Sequence, residues 1–460
     1  MQVTCFPCDP GPAAWNSLLL AAANRPSLEE NLTVDWLVIG AGFAGLSAAR
    51  RLSQLHPTAR IVVLEASRVA EGPAGRNSGF MIDVPHDLTS ADYAKHPEAR
   101  SRIASSDISL SNTHKDSREI KLNRAGIRFA LDAAREFSMD DETISESGKI
   151  NGAVSDRGKA HNEAYARHLD SLNEPYDVLS AEDMEKITGT HCYIAGLYSP
   201  GTTMIQPAKY IRALSDGITS PYLTLYEHSA VTNLQQQQSV WKATTAKGSV
   251  IAPKVILCVN GHLQSFGYSK GELMHVFTYA SMTRALNKQE ILQLGGEPRW
   301  AITPADALGT TVRRISGTGG DRIVIRNRAT FDASIQVDSN RIKRIAKNHD
   351  RSYRDRFPML PSVEMEYRWG GRLCLTRNNV SVFGEIESGL YSACCQNGLG
   401  TAKGTVAGML AAELACDFKS DLLEAQLSEN KPRKLPPEPI ASIAGNAILR
   451  WGEFRAGAEL

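Results

Sequence analysis

Val34-Asp35-Trp36-Leu37-Val38-Ile39-Gly40-Ala41-Gly42-Phe43-Ala44-Gly45-Leu46-Ser47-Ala48-Ala49 takes an apolar strand into a glycine turn and at once into a helix of small residues. Gly40 permits the tight bend, Gly42 lets a pyrophosphate approach the backbone, and Gly45 lets the helix settle on its strand. The helix N-terminus then faces the phosphates with unpaired N–H groups and a partial positive charge. A second apolar strand, Ala59-Arg60-Ile61-Val62-Val63-Leu64, ends in Glu65, twenty residues past Gly45. A carboxylate placed there accepts hydrogen bonds from an adenosine ribose. Strand, turn, helix, strand and acid together specify a site for an adenine dinucleotide.

The 460 residues suffice for two or three domains with sizeable cores. Lys and Arg number 51 against 50 Asp and Glu, a formal charge of +1. That balance argues against nucleic acid or an anionic membrane as the main partner. The eight cysteines are scattered, and several lie in apolar runs such as Val255-Ile256-Leu257-Cys258-Val259. Such usage suits a reducing, cytoplasmic setting rather than a disulfide framework. Cys5-Phe6-Pro7-Cys8 is a lone C-x-x-C without a second pair and reads as neither a metal nor a redox site. No apolar stretch approaches the ~20 residues of a membrane span, and Leu18–Ala23 lacks the basic flank of a signal peptide.

Outward from the first motif, residues 1–32 read as a leader with one helix, Ala13–Ala23. Glu71-Gly72-Pro73-Ala74-Gly75-Arg76-Asn77-Ser78-Gly79-Phe80 is too rich in glycine for regular structure. Ser90 to about Glu136 is polar and helical in tendency. A strand at Gly148–Ala153, a helix at His161–Leu172 and a helix opening on Pro207 follow. Alternation then dominates, and Thr224–Glu227, Ala230–Thr232, Ser239–Ala243, Ser249–Ile251 and Val255–Val259 read as a β meander. Leu273–Thr283 is a longer strand, and Gly317–Gly320 turns a hairpin between Thr310–Ile315 and Arg322–Ile325. A polar helix covers about 338–350. Near the end, Asn397-Gly398-Leu399-Gly400-Thr401 leads into a helix over Ala402–Cys416, with Gly404 and Gly408 on one smooth face. Four prolines between 432 and 439 introduce a tail helix.

The first motif alone does not separate FAD from NAD. The loop Gly75-Arg76-Asn77-Ser78-Gly79 and the second glycine turn and helix at 398–416 favour FAD. On these residues the chain resembles the FAD-dependent D-amino-acid oxidase/glycine oxidase (DAO) superfamily. It looks most like the branch of gamma-glutamylputrescine oxidase and L-pipecolate oxidase. Further matches are Leu64-Glu65-Ala66, Val255–Gly261, Thr283-Arg284-Ala285-Leu286, Trp369-Gly370-Gly371 and Gly404-Thr405-Val406-Ala407-Gly408, in family order over about 34–412. The resemblance implies an α/β (α+β) fold with a discontinuous, Rossmann-like FAD-binding domain of the glutathione-reductase type, over about 33–88, 200–265 and 366–416. An antiparallel sheet with helices would form the substrate domain, over 89–199 and 266–365, and 417–460 a tail.

By the same resemblance Gly40, Gly42, Phe43, Ala44 and Gly45 take the pyrophosphate, and Glu65 and Ala66 lie by the adenosine. Gly75, Arg76, Asn77, Ser78 and Gly79 thread past the pyrophosphate toward the flavin. Val231, Asn260 and Gly261 line the adenine side and its channel. Gly398, Leu399, Gly400 and Thr401 present N–H groups to the pyrimidine edge of the ring. A helix start belongs there because reduced flavin gathers negative charge at that edge, and a helix N-terminus offers about half a positive charge.

The reaction implied is oxidation of the C–N bond of an amine or amino acid by hydride transfer to non-covalent FAD, giving an imine that hydrolyses. Oxygen or another acceptor would then take the electrons. Hydride transfer needs close approach and exclusion of water, and it demands neither a nucleophile nor a metal. Substrate anchoring departs from the family pattern. Glycine oxidase-like members carry W-x-G-x-R-P, but Leu373 occupies the arginine position here, and Arg372 comes one residue early. On a strand, that shift turns the side chain to the opposite face. Replacement candidates are Arg314, adjacent to Arg313 on one strand, and Tyr279 and His275, which share a strand face with Phe277 and Ser281. Two rival readings stay open at this point. One is an NAD(P)-dependent dehydrogenase, and the other a non-catalytic flavin-binding module. Oligomeric state is not legible.

Overall fold

The structure, a computed structural model, describes residues 2–3, 5–22, 24–85 and 106–460. The strand Trp36–Ile39 is buried on both faces, and the turn at Gly40 feeds directly into the helix Phe43–Leu55. Such uniformly apolar strands suit a parallel sheet covered on both sides. Six strands form it in the order Leu223–Tyr226, Ile61–Leu64, Trp36–Ile39, Lys254–Leu257, Leu390–Cys394, Val382–Glu387. The first five are parallel and the last is antiparallel to its neighbour. Glycine turns of two distant segments, at 40–45 and 398–401, follow strands of this sheet.

An eight-stranded sheet stands beside it, in the order Met365–Thr376, Leu273–Thr283, Arg322–Phe331, Thr311–Ile315, Trp300–Pro304, Lys149–Ala153, Ala195–Ser199, Asp177–Ser180. The helix Ser339–Arg356 covers part of one face, where Phe277 and Tyr279 pack with Val337 and Ile345. A smaller four-stranded sheet is built from Asn31–Thr33, Ser249–Ala252, Val240–Thr244 and Asn233–Gln237.

Several expected elements shift. The leader helix is only Ala14–Ser17. Leu223–Tyr226 joins the parallel sheet rather than the meander, because its apolar residues pair with Ile61–Leu64, and 230–232 forms no strand. The helix expected from Ser90 is described from Ser106 to Glu136, and the residues before it lie outside the described chain. Met365–Thr376 runs along Leu273–Thr283 for its whole length, so the expected boundary at 366 falls at the start of a strand of the larger sheet. The chain crosses to the six-stranded sheet only after Thr376.

The described residues between 2 and 30 form a strap across the two sheets. Val3 donates to Thr232 O, Gly370 donates to Pro10 O, and the Gln206 side chain donates to Trp15 O. Asp9 pairs with Arg372 at 2.8 Å. No sequence periodicity announces this strap, because its partners, Thr232, Gln206, Gly370 and Arg372, lie far apart along the chain.

Candidate active site

A cavity of about 680 Å³ runs between the two sheets and under the strap. One part is bordered by Gly40, Ala41, Gly42, Phe43, Ala44, Glu65, Ala66 and Val231, another by Gly398, Leu399, Gly400 and Thr401. Both parts include a helix start. The helices Phe43–Leu55 and Ala402–Ala415 begin with no side-chain cap, so their first N–H groups are left for another acceptor. The Thr401 hydroxyl, which could have capped its own helix, donates to Phe80 O instead.

Glu65 sits at the end of its strand and accepts from Ala41 N at 2.9 Å with one oxygen and from Ser67 N at 3.1 Å with the other. Burial raises its pKa. Each oxygen keeps a lone pair for a sugar hydroxyl. The buried Asn260 Oδ1 has no partner within the described chain, although Asn260 borders the cavity beside Gly261. An added Cβ on Gly42 would meet nothing nearer than Ala74 Cβ at 3.5 Å, so the open space over this glycine belongs to the cavity. Uncapped helix starts, a half-satisfied carboxylate, an orphaned amide oxygen and free room over Gly42 fit an adenine dinucleotide lying lengthwise.

Not every expected contact faces the cavity. Gly45 and Gly75 are packing glycines, since an added Cβ would stand 1.7 Å from Gly40 O and 1.8 Å from Ala70 O. Gly408 likewise admits the backbone of the first helix, with Ala44 O at 1.9 Å from an added Cβ. Arg76 borders the cavity, but its guanidinium is engaged elsewhere. It donates to Glu71 O at 2.6 Å, Gly11 O at 2.9 Å and Gly370 O at 3.0 Å, pinning the strap to the loop. Asn77 shapes that loop by donating to Ala74 O and accepting from Gly79 N. Ser78 and Gly79 border the cavity.

Among the substrate candidates, Arg314 is not in the cavity wall. It lies on the opposite face of Thr311–Ile315, bonded to Gly295 O and 3.5 Å from Asp321. Its neighbour Arg313 is the inward one. It donates to Ser78 O at 2.6 Å and Ile205 O at 3.0 Å, with Trp15 and Phe80 rings beside it. Tyr279 touches the cavity, yet its hydroxyl is bonded to Thr330 Oγ1 at 2.7 Å, on the row covered by the helix Ser339–Arg356. His275 borders the strap end, with Nε2 2.8 Å from Gln264 Nε2. Burial and the nearby Arg372 charge lower its pKa to about 4, and His262 beside it is lowered likewise. Arg372 also borders this end, and Asp9 takes its charge in a two-pronged pair.

Arg326, which the sequence did not single out, lies in the wall with Thr303, Pro304, Ala307, Thr311 and Val324. A readable signal existed. The hairpin places Thr311 opposite Arg326 and Arg313 opposite Val324, so all four share a face.

The matching family model is the DAO family, FAD dependent oxidoreductase, over residues 35–414. Gamma-glutamylputrescine oxidoreductase of Escherichia coli (strain K12) is 25% identical over 416 residues, covering 87% of this chain and 88% of that protein. The probable oxidoreductase OrdL of Haemophilus influenzae is 24% identical over 404 residues, 84% of each. Glycine oxidase from Geobacillus kaustophilus superposes with a TM-score of 0.65 at 17% identity, over 87% of this chain and all of that one (100%). Iminodiacetate oxidase from Chelativorans sp. BNC1 gives 0.64 at 15% identity, over 84% and 96%. With a family model spanning both glycine turns and both large sheets, the chain belongs to the DAO family of FAD-dependent oxidoreductases.

Proposed function

We propose that the protein oxidises the C–N bond of an amine or amino acid, with secondary or substituted amines the favoured class. The observation that carries this reading is the form of the cavity beyond the Gly398–Thr401 turn. It continues past the expected ring edge into a space walled by Thr303, Pro304, Ala307, Thr311, Val324 and Arg326, where apolar side chains mix with two hydroxyls and one guanidinium, closed by the strand Arg322–Phe331. Support comes from relatives named for amine or amino-acid oxidation, including the gamma-glutamylputrescine and iminodiacetate enzymes.

Bound FAD supplies a two-electron acceptor, so that hydride leaves the amine carbon, a nitrogen proton is lost, and the resulting imine hydrolyses in water. The chain's own contributions are binding, orientation and exclusion of water. Glu65, the start of Phe43–Leu55 and the 75–79 loop hold the nucleotide half. The start of Ala402–Ala415 offers N–H donors where negative charge gathers on reduction. Phe80, Ile82, Leu399 and Ala280 keep the reacting end dry.

The test is anaerobic mixing of the yellow protein with a panel of secondary amino acids, N-methylated amino acids, polyamine conjugates and aminophosphonates. Loss of absorbance near 450 nm with one class is the expected result. No bleaching across the panel would leave a binding module as the better reading. Readmitting air then separates an oxidase from a dehydrogenase.

A further inference from the structure

The tail helix Ile440–Ala456 is turned inside out. Its polar side chains face the protein, where they pair the open edge of the strand Arg322–Phe331. Among the described residues, that edge has no β partner beyond Arg326. Asn446 donates to Phe331 O at 2.9 Å and accepts from Phe331 N at 3.1 Å. Glu453 accepts from Ala329 N at 3.0 Å, and Arg450 donates to Ala329 O. Unpaired edge groups are costly, so these bonds fix how the helix is rolled about its axis. Its apolar side chains are thereby left outside. Trp451 is 63% exposed and Phe454 76%, and Ile440, Ile443 and Ile448 are each more than half exposed.

A surface helix ordinarily buries its apolar stripe against its own core. Here the stripe is the outer face, with the small residues Ala444 and Ala447 along it, and its only charges are Arg450 and Arg455. These side chains present roughly 600 Å² of apolar surface, the upper end of what a monomer leaves bare and most of the ~800 Å² that each side of a specific interface buries. The stripe is complementary to itself when two copies lie antiparallel about a twofold axis at Ala447. The small Ala447 lets the backbones approach where they cross. Trp451 then stands over the partner's Ile443 and Ala444, and Phe454 over the partner's Ile440, so bulk meets small side chains at both ends. The same register brings Arg455 to the partner's Glu438. Among the described residues neither of these charges has an ion-pair partner in its own chain, and Glu438 accepts only from Ser442 N, at 3.3 Å. A parallel pair would instead set arginine against arginine.

We propose that the outer face of Ile440–Ala456 is a self-association surface, on which a second copy of this chain seats its own tail helix antiparallel to form a twofold dimer. The helix lies beyond residue 414, where the family match ends, and Gly452 rests on Leu308, beside Ala307 of the cavity wall. The interface therefore stands behind the substrate end of the cavity. It does not depend on the amine-oxidation reading.

The experiment is sedimentation velocity of the flavin-loaded protein over a dilution series, which should show a dimer that dissociates on dilution. Trp451→Glu combined with Phe454→Glu should weaken the dimer by ~30-fold or more, since buried aromatic side chains dominate such interfaces. Both side chains point away from their own chain, so this variant is expected to keep its fold by circular dichroism and its FAD by absorbance. Arg455→Glu and Glu438→Arg should each weaken the dimer by ~3-fold or more, and the two changes together should restore it. If the aromatic variant loses its fold or its FAD, the charge exchange, which leaves the aromatics in place, decides alone. A monomer at every concentration overturns the proposal. So does a dimer indifferent to the aromatic changes, or a charge exchange that restores nothing. A monomer that floats with phosphatidylcholine–phosphatidylglycerol vesicles, and ceases to do so with Trp451→Glu and Phe454→Glu, overturns it in favour of a bilayer as the occupant of this face.

Discussion

Arg313 reaches from the larger sheet to the Ser78 carbonyl, 2.6 Å from its Nη1, and the same nitrogen donates to Ile205 O at 3.0 Å. One buried guanidinium thus ties the 75–79 loop to the strand Thr203–Ile205 at the cavity wall. Gly79 lies so close beneath it that an added Cβ would be 2.1 Å from Arg313 Nη1. Replacing Arg313 by Met leaves two carbonyls without a donor, about 1–3 kcal/mol each, while sparing the burial of an unpaired charge. The net effect on the apoprotein should therefore be small. FAD retention should drop by at least about tenfold, because the loop bordering the cofactor loses its tether. Reconstitution of apoprotein with FAD, followed by flavin fluorescence, measures it. An unchanged FAD affinity would show that the loop holds its shape through Asn77 alone.

The two histidines at the strap end set a pH dependence. His262 and His275 are both lowered to about 4 by burial, with the Arg372 charge adding to the effect, while Asp332 opposes it at His275. The folded protein therefore keeps them neutral where an unfolded chain, with histidines near 6.5, binds protons. Stability contributed by the neutral rings is fully present above about pH 6.5 and is lost as pH falls toward 4. The loss should be on the order of 2 kcal/mol per histidine. Thermal unfolding measured from pH 7 to 4 should show this decline, and His275→Gln should flatten it. An identical slope in the variant would assign the acid loss to carboxylates.

What the sequence made legible was whatever depends on close neighbours along the chain. The 34–49 stretch, the twenty-residue reach to Glu65 and the 398–416 turn and helix all fold as read, because strand, turn and helix propensity act within a few residues. The faces of strands in the larger sheet were a different matter. Choosing Arg314 over Arg313 needs knowledge of what covers each face, and the helix Ser339–Arg356 that buries the Tyr279 row lies sixty residues away. Arg76 is in the wall as expected, yet its donors go to Glu71 O, to Gly11 O of the strap and to Gly370 O, three carbonyls far apart in the chain. Arg326 follows from the hairpin only once its register is set, since pairing with Thr311 is what turns it inward.

Three cysteines border the cavity, and their chemistry bears on how FAD is held. Burial raises the thiols of Cys258 and Cys374 well above their ordinary range, so neither supplies thiolate readily. Cys8 is exposed, on the strap. Non-covalent FAD is therefore the expectation, and acid precipitation should leave a colourless pellet and a yellow supernatant. Colour retained in the pellet would mean a covalent bond, and Cys8→Ser and Cys374→Ser would locate it.

Gly42 and Gly45 offer a way to separate the cofactor's need for space from the fold's. At Gly45 an added methyl would sit 1.7 Å from Gly40 O, a backbone atom that cannot turn aside, so Gly45→Ala must push the helix off its strand. A loss of ~3 kcal/mol or more, seen as unfolded or insoluble protein, is expected there. At Gly42 the nearest atom to an added methyl is 3.5 Å away, an ordinary contact, and the backbone is an extended N-cap with φ −91° that alanine also adopts. The apoprotein cost of Gly42→Ala is then only that of a weaker N-cap, about 1 kcal/mol or less. Yet the methyl would occupy the space over the helix start into which the pyrophosphate must fit. Gly42→Ala should be folded by circular dichroism, with a melting temperature close to that of wild-type apoprotein, and colourless as purified. A yellow Gly42→Ala protein with normal FAD affinity would mean that the dinucleotide does not lie across this turn.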